Sequence, residues 1–113
     1  MPKDDRVRFG HMLDAAKQAA EFCQGRSRNE LDTNSMLVRL LETIGEAARA
    51  VSADGRAAHS AIPWKKIIGM RDRVVHGYFD INLDIVWETV THDLPPLIVE
   101  LEQLVSGESS WFR

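Results

Sequence analysis

Between positions 37 and 51, Leu37, Leu40, Leu41, Ile44, Ala47, Ala48 and Val51 recur at spacings of three and four. That period puts all seven on one face of an α-helix and leaves Arg39, Glu42, Glu46 and Arg49 toward the other side. A second stripe of the same kind is Phe9, Met12, Leu13, Ala16, Ala19, Ala20 and Cys23, with Gly25 placed to stop it. Nothing in the chain alternates with period two over a useful length. The sequence therefore predicts an all-α protein.

The pattern predicts a helix over about 4–24 and a second that is capped by Asn34 or Ser35 and reaches about Ser52, with a short helical turn around 28–31 between them. Residues 53–62, containing Asp54-Gly55, read as a loop. A third long helix is expected from Pro63, at a first helical position where its missing N–H costs nothing, to about His76, with Gly77 closing it. A fourth starts near Asn82 and carries Leu83, Val86, Trp87 and Val90. It meets Asp93-Leu94-Pro95-Pro96, where the prolines should kink it or restart it with Asp93 as cap. The restarted piece contains Leu97, Ile98, Leu101, Leu104 and Val105 and should end at Gly107. The expectation is a bundle of four long helices plus a short one, a single domain over 1–107 with a short tail over 108–113.

With 113 residues the chain has room for one core. No stretch approaches the run of about 18 apolar residues that a membrane span needs, and the charged N-terminus does not read as a secretory signal. One cysteine, Cys23, rules out an intramolecular disulfide and fits a reducing, cytoplasmic setting. The net charge of −3 argues against a surface that coats nucleic acid. Locally the balance reverses: over 63–79, Lys65, Lys66, Arg71 and Arg73 face only Asp72, which suits a small anion or a short RNA contact.

The four histidines, His11, His59, His76 and His92, show no metal-binding spacing, and there is neither a phosphate-binding glycine loop nor a nucleophile elbow. What remains is Arg71-x4-His76. Arginine is a permanent cation whose planar fork suits phosphate, and histidine can pass a proton near neutral pH. Together they could cleave RNA without a metal: the imidazole takes the proton of a ribose 2′-OH, and the guanidinium stabilises the charge on the phosphorane. The spacing alone is unspecific, since about one match is expected by chance in such a composition, and Arg6-x4-His11 is another. On spacing alone, a structural His76 favoured by the helix dipole is the default. Residues five apart on a helix are rotated by roughly 140°, so the pair converges only if the helix loosens or a second subunit completes the site.

The block from Ile62 through Trp64, Arg71, His76 and Tyr78 to Phe79, followed by Asp84-Ile85-Val86-Trp87 and Asp93-Leu94-Pro95, resembles the HepT-like branch of the HEPN superfamily. Ile44-Gly45-Glu46-Ala47-Ala48 fits the same pattern, and the likeness runs from the first helix to about Val105. It implies a dimeric helical bundle with the two Arg-x4-His segments lining a shared cleft. It also implies a metal-independent ribonuclease, needing no cofactor, that acts as the toxin of a type VII toxin–antitoxin pair. The implied partners are RNA (tRNA or mRNA) and a small MNT-class nucleotidyltransferase antitoxin, which can attach AMP to the tyrosine two residues after the histidine. Carried over, Arg71 and His76 match the catalytic pair, Tyr78 the modified tyrosine, and Asp72 the polar position that orients a catalytic group.

Glu46 could face the cleft, although a carboxylate beside Glu42 and Arg49 is ordinarily a solvated helix face. Arg73 could touch RNA phosphate or pair with a carboxylate. Lys65 and Lys66 read first as a charged outer face, and Trp64 and Trp87 as core or dimer contacts. The competing functional readings are a non-catalytic module that binds nucleotide or regulates a nucleotidyltransferase, and a purely structural dimerisation bundle.

Overall fold

The computed structural model describes residues 3–31, 36–70, 72, 75–76 and 80–109. The first apolar stripe forms α1 (Lys3–Cys23), which Gly25 terminates by taking a φ of 76° that a side chain would resist. A 3-10 turn at Arg28–Glu30 follows, where a short helical turn is expected. The second stripe forms α2 (Met36–Ala50); the expected caps Asn34 and Ser35 lie outside the described residues. Then come α3 (Ala53–Ala58), α4 (Trp64–Ile68), strands β1 (Val75–His76) and β2 (Asp80–Ile81), α5 (Leu83–Glu88), a π-helical turn at Thr89–Asp93, and α6 (Leu94–Ser109). Every described element is helical apart from the two-residue antiparallel pair, in which Val75 faces Ile81 and His76 faces Asp80.

Phe9, Met12, Ala16 and Ala19 of α1, Leu37, Leu41, Ile44 and Ala48 of α2, and Leu94 and Leu101 of α6 are fully buried against one another. Burying each of the larger side chains stabilises the fold by about 1.5–3 kcal/mol. Trp64 and Trp87 pack half-buried against this core, as a core role predicts. Cys23 is buried at the end of α1, and loss of solvent pushes its thiol pKa up.

Four sequence expectations are corrected. Among the described residues three helices are long, α1, α2 and α6, where four are expected. Residues 53–58 are helix, not loop, because Ser52 caps them: its Oγ accepts a hydrogen bond from the Gly55 N–H at 3.0 Å. The helix expected over 63–76 is cut short. Pro63 stands one place before its first residue, the backbone turns at Gly69, and Val75 and His76 are already extended. The β-branched pair Val74-Val75 favours that extended backbone over helix. The break expected at Pro95 and Pro96 is present: regular α-helix gives way to the π turn after Glu88 and restarts at Leu94. The Leu94 N–H reaches back five residues to the Thr89 carbonyl, and the π turn so formed places both prolines in the first turn of α6, where no N–H is needed. Asp93, the expected cap, pairs with Lys66 at 3.1 Å. Gly107 does not end α6, which continues to Ser109.

One polar group is buried at a junction of elements. Asp5, only 2 % exposed, accepts hydrogen bonds from the Ser52 N–H at 2.8 Å and the Ser52 hydroxyl at 2.6 Å. The hydroxyl in turn holds the start of α3, so α1 is fastened to the corner between α2 and α3. A Cβ on Gly55 would lie 2.4 Å from Asp5 Oδ2, so this corner admits only glycine. Arg56 closes the other side, donating from Nε to the Val51 carbonyl at 3.2 Å and from its terminal nitrogen to the Arg49 carbonyl at 2.8 Å.

The Ser52 hydrogen bonds, chiefly the one from its hydroxyl, hold the Asp5 carboxyl below its usual pKa, against the opposing effect of burial. A lowered folded-state pKa adds stability that is fully present above the unfolded value of about 3.9 and fades as the pH falls through the folded one. Asp5→Ala, which leaves two Ser52 donors unpaired, is expected to cost about 1–3 kcal/mol at pH 7 in denaturant unfolding. For Asp5→Asn the deficit against wild type should shrink as pH falls below about 4. A deficit that stays constant from pH 7 to pH 3 would refute this role of the carboxylate.

Candidate functional site

The end of α2 and the segment 64–72 meet where α2 presents Gly45. A Cβ there would stand 3.3 Å from the Ile67 carbonyl oxygen and 3.5 Å from that of Ile68. The missing side chain lets the two backbones close together, and the next residue, Glu46, comes to the rim of the contact. Asp72, helical and exposed, stands across from it. The two line one groove of about 220 Å³ with Glu42, Gly45, Arg49 and Ile68. Two of the residues singled out from the sequence are thus brought together by the packing of α2 on α4.

His76 sits in β1, its backbone opposite Asp80. The helix has given way before His76 is reached, so the rotation of roughly 140° that separates residues five apart on a continuous helix does not govern the Arg71–His76 pair. The loosening comes earlier than Gly77, where the sequence suggested it. Arg71, Arg73 and Tyr78 lie outside the described residues, as does the side chain of His76.

The rest of the basic segment separates by role. Lys65 is exposed, while Lys66 is tied to Asp93 on the far side of α4. Trp64 fixes the start of the segment: its indole N–H is shared between the carbonyls of Arg56 at 3.1 Å and His59 at 3.0 Å. Its ring lies 5.8 Å from that of Phe9, which also takes His59 edge-on at 5.4 Å. The expectation that Trp64 is structural fits these contacts. Arg49 and Glu42 enter the groove beside Glu46. Their one-turn spacing from it, 42–46–49, is the sequence signal that places them there.

Among the described residues no cluster of three or more His, Cys, Asp or Glu side chains could hold a metal ion. No helix among them is long and apolar enough to cross a membrane. Three carboxylates and one guanidinium line the groove, so its chemistry is that of proton transfer and of orienting a cation or a donor.

Residues 12–104 match the family model described as Ribonuclease HepT-like. The chain is 34% identical over 110 residues to a protein of Caldanaerobacter subterraneus subsp. tengcongensis provisionally named an RNase, covering 94% of this chain and 98% of that one. A provisionally named RNase of Methanocaldococcus jannaschii is 35% identical over 104 residues, 88% of this chain and 95% of its own. A protein of Thermococcus cleftensis named "Probable ribonuclease HepT" is 38% identical over 72 residues, 64% of this chain and 66% of its own. No solved structure gave a significant match. The chain belongs to the HepT-like ribonuclease family, within the HEPN class of helical domains.

The α2–α4 approach gives a test of how the groove is built. Gly45→Val puts two methyl groups against the Ile67 and Ile68 carbonyls and should cost about 1–3 kcal/mol, read as a lowered unfolding midpoint. Glu46→Gln, at an exposed position, should stay within about 0.5 kcal/mol of wild type. If Gly45→Val were as stable as Glu46→Gln, the close approach would not be what holds α4 on α2.

Proposed function

We propose that this protein is a metal-independent endoribonuclease, working as a cytoplasmic homodimer and serving as the toxin of a toxin–antitoxin pair. The observation that carries the proposal is the family match over residues 12–104, a span that contains Arg71, Asp72, His76 and Tyr78. Ribonuclease names among its relatives point the same way.

In this reading His76 takes the proton from a ribose 2′-OH, and the freed oxygen attacks the adjacent phosphorus. Arg71 stabilises the negative charge that builds on the phosphorane. The 5′-oxygen then leaves with a proton from an acid, for which the second subunit's copy of the motif is the candidate, and a 2′,3′-cyclic phosphate remains. Asp72 orients the catalytic pair and Glu46, across the groove from it, supports that arrangement. Arg73 contacts the RNA backbone. An MNT-class nucleotidyltransferase silences the enzyme by attaching AMP to Tyr78, which adds bulk and negative charge next to the catalytic histidine.

The test is cleavage of total tRNA and of a long mRNA in EDTA by unmodified wild type, Arg71→Ala and His76→Ala. Wild type should cut, and each variant should be slower by about 100-fold or more while keeping its helical spectrum and oligomeric state. A folded His76→Ala that cuts as fast as wild type would refute the assignment. No cleavage by an unmodified, dimeric wild type would favour the non-catalytic binding module. Tyr78→Phe should cleave as wild type does and remain toxic when the antitoxin is co-expressed. Silencing of Tyr78→Phe together with a mass gain of one AMP would move the modification to another residue.

A further inference from the structure

Lys66, Ile67 and Met70 lie on the face of the 64–72 segment opposite Ile68 and Asp72, and they look into a separate hollow. Buried Ile62, Ile67, Met70 and Leu97 make its floor, and the π turn at His92 and Asp93 makes one wall. Its volume is about 280 Å³, room for one large side chain. A second hollow of about 390 Å³ adjoins it, sharing Ala61, Ile62 and Glu100 and continuing to Gln103 and Leu104. The two follow α6 from Asp93 to Leu104, a distance of about 17 Å at 1.5 Å per residue. A trough of that length matches about five residues of extended chain.

Its polar rim is mixed, with Lys66, His92 and Asp93 at one end, His59, Ser60 and Gln103 at the other and Glu100 shared between the two hollows. Lys66 is already paired with Asp93. Glu100, common to both hollows, is exposed and has no ion-pair or hydrogen-bond partner among the described residues. An apolar floor beside an exposed carboxylate that pairs with no described residue repels phosphate and attracts a cationic donor.

We infer that this trough is a docking site for a segment of a partner protein that seats one large apolar side chain between Ile67 and Leu97 and sets an arginine or lysine against Glu100. The apolar anchor supplies most of the affinity, and the charge pair sets which sequences are accepted. Because the trough and the Glu46–Asp72 groove lie on opposite faces of the same short segment, a partner held here leaves that groove open.

The test is titration of the isotope-labelled full chain with three probes, followed by amide shifts in two-dimensional NMR: acetyl-Arg-Leu-Phe-Arg-amide, acetyl-Glu-Leu-Phe-Glu-amide and a short oligoadenylate. The cationic peptide should produce saturable shifts at Lys66, Ile67, Met70, Leu97 and Glu100, with an affinity at least about tenfold above that of the acidic one. Glu100→Lys, an exposed change that leaves the core untouched, should reverse that order. Equal binding of both peptides, no saturable shift with either, or oligoadenylate shifts at these amides would each overturn the proposal. Loss of RNA cleavage has no bearing on these shifts, so the two readings fail separately.

Discussion

The groove depends on an absence of atoms. At Gly45 the α2 backbone has no side chain, and the carbonyls of Ile67 and Ile68 come to within contact distance of where one would be. A helix pair packed through ordinary side chains stands 8–10 Å apart; here a glycine lets one partner settle deeper. Everything carried by the short 64–72 segment takes its height above α2 from that contact. Asp72 faces Glu46 because of it, and the rest of the basic motif follows in the chain. The Asp5–Ser52 hydrogen bonds perform the companion task at the other end of α2, fixing the corner from which the chain sets out toward Trp64.

Most of the fold was legible in the sequence because burial and helical period coincide. The stripes Phe9–Cys23 and Leu37–Val51 are the core of α1 and α2, and the turn at Gly25 is where glycine promised it. What was not legible came from interactions between distant positions. Asp54-Gly55 looks like a turn until Ser52 is seen to cap it and Asp5, 47 residues earlier, is seen to hold Ser52. Pro95-Pro96 announces a break, and regular α-helix does restart at Leu94, but the π turn that bridges it, with the Leu94 N–H on the Thr89 carbonyl, is not written in the prolines. Such compensation cannot be read from local propensity, which treats each proline alone.

For the candidate site the division falls differently. Asp72 and Glu46 were singled out from the sequence and share a groove. The segment reaching His76 was expected as helix, but the β-branched residues before the histidine outweigh the helical period that precedes them. Neighbouring side chains on α2 that join the groove, Glu42 and Arg49, follow from helical spacing once Glu46 is placed. The 63–79 stretch carries a local excess of positive charge. In three dimensions its Lys66 turns away from the groove to meet Asp93.

The chain contains one cysteine, and it is buried at the end of α1 with its thiol held in the protonated form. A protonated, enclosed thiol reacts slowly with disulfide reagents. Its reactivity rises only when the end of α1 lifts from its neighbours, so Cys23 is a native clock for that opening. The rate at which it is labelled measures how often this end of the bundle breathes, with no probe introduced and no residue changed.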